Sequence, residues 1–183
     1  MAARTDHVQP QQAQPGKLTS LRRATFGSRW WLAVAWGGHL LLLHLLMVPL
    51  VSLALYFPGL DLLLSCLYLI LLAALTWNLG KDSRLSLPAT AVAGLIAQLP
   101  GFLLTIASRD SYLGLAAGPT YWPFVLQLWH TPFLPLLSLF PFPVAGGLSL
   151  AYRALFFLSG AYVIFMLTVV SLSRKQKQRP LAS

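Results

Sequence analysis

The chain has 183 residues, of which 57% are hydrophobic and only 9% charged, against roughly 25% charged in an average soluble domain. That composition excludes a water-excluding soluble core and makes lipid the solvent for most of the chain. The net charge of +9 would suit a nucleic-acid binder, but the basic residues lie in the tails and one short loop, so no nucleic-acid partner is expected; topology and anionic headgroups account for them.

Residues 1 to 28 are polar, with four glutamines and Pro10 and Pro15, and lack the apolar content that offsets ordering entropy. They are expected to form a disordered cytoplasmic tail. Arg22, Arg23 and Arg29 precede Trp30 and Trp31, a basic cluster and aromatic pair of the kind that marks a cytoplasmic interface. The apolar run that follows is too long for a signal-peptide core of 7 to 15 residues, so a cleavable signal peptide is not expected.

Residues 30 to 57 form the first expected span, longer than the ~30 Å hydrocarbon core requires, with Pro49 as a kink. Phe57, Pro58 and Gly59 make a tight turn into a second span at 60 to 79. Asp61 falls in its first turn, where the helix dipole favours an acidic residue, and is expected to act as a cap. The single Cys66 lies inside this apolar segment, so neither an internal disulfide nor a thiolate metal cluster can form within one chain. A charged loop, Gly80 to Arg84, leads to a third span at about 87 to 107, with Ser86 as cap and Pro88 tolerated in the first turn. Ala89, Ala93, Ala97 and Gly101 recur every four residues, which puts four small side chains on one helix face for close packing. Gln98 beside them is expected to hydrogen-bond to another helix.

A polar loop from 108 to 118 contains Arg109 and Asp110. Residues 119 to 143 are apolar but hold six of the thirteen prolines, at 119, 123, 132, 135, 141 and 143. A continuous helix fits only from about 124 to 131, because the later prolines remove donors and free carbonyls that need partners. Tyr121, Trp122 and Trp129 suit an interfacial placement. The last span covers 149 to 172 and ends in Arg174, Lys175, Lys177 and Arg179.

Charge distribution selects the topology. With four spans, the N-terminal tail, the 80 to 85 loop and the C-terminal tail share one side, which then carries eleven of the thirteen Lys and Arg, all but Arg109 and Arg153. The expected fold is therefore all-α: a polytopic membrane helix bundle of four transmembrane helices plus a proline-rich re-entrant or interfacial hairpin at 119 to 143, with five transmembrane helices as the alternative. The expected organisation is a tail (1–28), a bundle (29–173) and a basic cytoplasmic tail (174–183). Both termini face the cytoplasm, and the plasma membrane is the expected location.

No glycine-rich phosphate loop, HExxH, CxxC or paired intramembrane carboxylates occur, and Ser159 has no base placed for it by sequence. His39 and His44 are five residues apart, about 140° around a helix, so they do not share a face. Interhelical bonding is the preferred role for these histidines and His130, with haem ligation the competing one. The candidate binding residues are Gln127, His130, Arg153, Arg109 and Asp110, gathered at the hairpin and the outer ends of the spans. The preferred function is a non-enzymatic membrane subunit or permease component for a small solute, without a resident cofactor. A haem- or quinone-binding redox anchor and a membrane-embedded enzyme acting on a lipid or isoprenoid are the alternatives. Expected partners are anionic lipid headgroups at the basic tails and other membrane subunits or further copies of the chain.

Overall fold

Among the described residues the fold has six helices: α1 (Pro15–Ala54), α2 (Leu60–Lys81), α3 (Leu87–Tyr112), α4 (Trp122–Trp129), α5 (Leu134–Ser138) and α6 (Leu150–Gln178), with a 3₁₀ turn at Thr131–Phe133. The computed structural model describes residues 15–112, 121–140, 144–145 and 148–178, and side-chain environments for 29–109, 121–140 and 153–177. Among the described residues four stretches are long and apolar enough to cross a membrane: Arg29–Ala54, Leu60–Lys81, Leu87–Arg109 and Arg153–Lys177. Their outward faces are apolar, with Leu42, Leu63, Ile70, Ile106, Phe157 and Ile164 all exposed, an arrangement suited to lipid rather than water.

Two boundaries differ from expectation. Residues 15 to 28 are helical and continuous with the first span; Pro15 begins the helix, where its missing N–H costs nothing, and adding turns to an existing helix avoids the nucleation penalty. At the other end α6 runs through Lys175 and Lys177 to Gln178, so the first part of the basic tail is helical too.

The turns follow local chemistry. Gly59 has φ +87°, a left-handed conformation that glycine adopts without strain, and it is the N-cap of α2 with no side-chain cap bond. Asp61 lies in the first turn but is not the cap expected of it. Ser86 does cap α3: its Oγ accepts from the Ala89 N–H at 3.4 Å, and its carbonyl accepts from Thr90 N–H at 3.0 Å.

α3 is the central helix, and its small face is buried as the spacing predicts: Ala89, Ala93, Ala97 and Gly101 are all inaccessible. α1 crosses it at Gly37, where an added Cβ would stand 2.9 Å from the Ala93 carbonyl oxygen and from Ile96 Cβ. α2 meets α6 at Gly80, where a Cβ would fall 2.8 Å from Ser173 Cβ. Ser173 Oγ donates to the Trp77 carbonyl at 3.0 Å and Arg174 Nη2 donates to the Leu85 carbonyl at 2.7 Å. These contacts set the C-terminal end of α6 beside the α2–α3 turn.

Within 119 to 143 no described helix exceeds the eight residues of α4, about 12 Å at 1.5 Å per residue and far short of the hydrocarbon core. The helix covers 122 to 129 rather than 124 to 131, because Pro123 fits at its N-terminal end. Pro119, Pro141 and Pro143 lie outside the described residues. After them, Val144–Ala145 pairs antiparallel with Leu148–Ser149.

Candidate functional site

The buried interior of the bundle is apolar except along one side of each helix. On α2 the buried residues are Ser65, Tyr68, Leu72, Thr76, Leu79 and Gly80, a three- and four-residue rhythm that collects the polar groups on the inward face. α6 buries Ser159, Tyr162 and Ser173 with Leu155, Met166 and Val170. α1 contributes His44 and α3 contributes Gln98, both fully buried.

The end of α4 is inserted among these groups. The Trp129 indole is 8% exposed, so its expected interfacial placement is corrected, whereas Tyr121 and Trp122 are exposed. Its Nε1–H needs an acceptor away from water and finds Gln98 Oε1 at 3.2 Å. Ser159 Oγ donates to the same oxygen at 3.3 Å. Because the indole can only donate, the amide of Gln98 is oriented with its oxygen toward Trp129. Gly101 makes room for this junction: a Cβ there would overlap Ser159 Oγ and approach Trp129 Nε1 to 2.7 Å.

His44 ties the same segment to α1 and α2. Its Nε2 lies 2.9 Å from the Trp129 carbonyl and its Nδ1 2.7 Å from the Tyr68 hydroxyl. A carbonyl only accepts, so Nε2 carries the proton, and the Tyr68 O–H donates to Nδ1 of a neutral imidazole. The ring packs 4.4 Å, centroid to centroid, from Trp129 and 6.1 Å from Phe133. Both nitrogens are thus engaged in interhelical bonding, and axial ligation of a haem by His44 would break one of these bonds. His39 is exposed on another face, with Nδ1 2.7 Å from the Ala35 carbonyl.

His130 is the next residue after Trp129 and is fully buried, with neither ring nitrogen hydrogen-bonded. Its backbone is held, since its N–H donates to Leu126 and its carbonyl accepts from Phe133. Gln98 Nε2 and Ser65 Oγ are likewise buried without partners. Buried polar groups are normally paired, and each left unpaired costs about 1 to 3 kcal/mol. Gln98, already bonded to Trp129, places a further open group near the α4 tip, and Tyr162 lies one turn from Ser159. Every described buried polar side chain is of a neutral type or histidine, so no fixed charge lies among the described buried side chains.

Of the candidate binding residues Gln127, His130, Arg153, Arg109 and Asp110, His130 is the one whose described side chain belongs to this cluster. Gln127 is half-buried and Thr131 Oγ1 lies 3.3 Å from its backbone carbonyl. Arg109 and Arg153 are exposed near the ends of α3 and α6, and the side chain of Asp110 lies outside the described set. His44, Tyr68, Gln98, Trp129, Ser159 and Tyr162 complete the site. Their signal was in the sequence as polar residues repeating on the inward stripe of otherwise apolar helices. Ser159 donates to Gln98 rather than to an imidazole, and no group of three or more His, Cys, Asp or Glu converges among the described residues. Comparison with family models, curated proteins and solved structures gave no match.

Proposed function

We propose that the chain is a four-span protein of the plasma membrane with both termini cytoplasmic, a non-enzymatic subunit or permease component that holds a small uncharged solute at the tip of a re-entrant hairpin. The observation that carries this reading is His130, fully buried with an unused donor and an unused acceptor. A neutral imidazole offers one of each, so the matching ligand is small and carries both kinds of hydrogen-bonding group. The absence of fixed charge among the described buried side chains favours an uncharged solute over an ion, which would need compensation at that depth.

The depth supports a re-entrant segment. Counted at 1.5 Å per residue from Leu60, Ala54, Arg109 and Arg153, the groups at Tyr68, His44, Gln98 and Ser159 lie roughly 9 to 17 Å below one end of the bundle. Trp129 bonds to two of them, so the α4 tip reaches a third to a half of the way through a ~30 Å core. Irregular backbone at that depth is tolerated where protein or a polar cavity covers it. The basic residues at the opposite end support the cytoplasmic assignment.

The test is a swelling assay on proteoliposomes with glycerol, urea and acetamide as probes. Swelling faster than in empty liposomes for at least one probe, reduced in His130→Leu at equal reconstitution, is the expected result. Swelling equal to empty liposomes for all three, or unaffected by His130→Leu, would contradict the proposed site.

A further inference from the structure

A second polar feature lies at the other end of the bundle. An open cleft of about 390 Å³ is lined by Lys81, Ser173, Gln176 and Lys177. Its floor is the α2–α6 contact, closed by the buried Gly80 and by the bond from Ser173 Oγ to the Trp77 carbonyl at 3.0 Å. Lys81 is in the last turn of α2 and Lys177 in the last turn of α6, so the cleft is bounded by one ammonium group from each helix. These are also the last residues of the two spans Leu60–Lys81 and Arg153–Lys177, which sets both charges at the level where hydrocarbon gives way to headgroups.

Neighbouring charges leave the cleft basic. Arg174 is committed to the Leu85 carbonyl. Asp82 is the nearest carboxylate in sequence, and its Oδ1 accepts from the Arg84 backbone N–H at 2.9 Å. The carbonyl ends of α2 and α6 add partial negative charge, which the lysines of their last turns offset. Neither Lys81 nor Lys177 has a side-chain ion pair among the described residues.

We propose that this cleft binds the phosphodiester headgroup of an anionic phospholipid, with Lys81 and Lys177 neutralising the phosphate and Gln176 donating a hydrogen bond. Basic clefts between spans at a cytoplasmic face suit such headgroups, and each nearby cation strengthens the attraction. The proposal is independent of the solute reading, because the two sites lie at opposite ends of the bundle.

The test uses the full chain in detergent, titrated with phosphatidylglycerol, phosphatidylcholine or inorganic phosphate while thermal unfolding is followed by tryptophan fluorescence. Phosphatidylglycerol is expected to raise the midpoint saturably, whereas phosphatidylcholine and inorganic phosphate leave it unchanged. The double variant K81Q/K177Q should need roughly tenfold more phosphatidylglycerol for half the effect, whereas Arg109→Gln at the far end should behave as wild type. Equal shifts with both lipids, a shift reproduced by inorganic phosphate, or equal weakening by Arg109→Gln would each overturn the proposal. Native mass spectrometry of the wild-type chain gives a check that needs no variant: one preferentially retained phosphatidylglycerol is expected, and a graded series with no favoured step would contradict a built site.

Discussion

His44 and His130 are both fully buried, yet they stand in opposite states, and that contrast is the sharpest residue-scale feature. His44 satisfies the Trp129 carbonyl and accepts from Tyr68, so His44→Leu removes two bonds and strands both partners; a loss of about 2 to 4 kcal/mol is expected from bonds and orphaned groups together. The His130 ring has no hydrogen-bond partner among the described residues, so His130→Leu removes two unpaired polar atoms at similar side-chain volume and should leave stability unchanged or raise it by about 1 to 3 kcal/mol. Denaturation midpoints of the two variants in one detergent check the contrast. Comparable losses in both would show that His130 is a structural bond-maker and remove the basis of the solute site. The sequence singled out His130 but gave no means to separate it from His44, because pairing depends on the depth at which another segment enters.

At the scale of elements, close approach at α3 controls how α1, α4 and α6 assemble. Gly101→Ala would press a methyl against Ser159 Oγ and Trp129 Nε1 and is expected to cost about 1 to 3 kcal/mol, as overpacking does. Gly38→Ala meets nothing within 4 Å and should stabilise α1 by about 0.5 to 1 kcal/mol through reduced backbone entropy. Ala93→Leu, on the buried crossing with Gly37, should likewise destabilise more than Leu95→Ala on the exposed face. Equal tolerance of Gly101→Ala and Gly38→Ala in thermal melts would argue against the close crossing. Much of this level was legible in advance: the four-residue spacing of Ala89, Ala93, Ala97 and Gly101 marked the packing face, and Gln98 was expected to bond across helices. Ser159, Tyr68 and Tyr162 were not selected, since a hydroxyl in an apolar helix has no single signature until the neighbouring helix faces it. Trp129 was assigned to the interface by residue type, but its burial follows from tertiary contacts with His44 and Gln98 on two other helices, which residue type does not encode.

For the whole molecule, topology depends on how residues 119 to 143 meet the membrane. The hydrogen bonds from α6 to Trp77 and Leu85 and the insertion of Trp129 between His44 and Gln98 fit a segment that enters from one face and returns to it. Proline spacing pointed to this break, whereas the depth reached by the tip depended on tertiary bonds that no local pattern encodes. The most direct measurement is cysteine labelling in a Cys66→Ser background, with Tyr121→Cys and Leu139→Cys flanking the tip and Lys175→Cys marking the basic end. All three parent residues are exposed. A membrane-impermeant maleimide applied to intact cells should label the cysteines at 121 and 139 equally, and the one at 175 only after permeabilisation. Labelling at 121 and 139 from opposite sides would make 119 to 143 a fifth span and contradict the re-entrant hairpin on which the solute site depends.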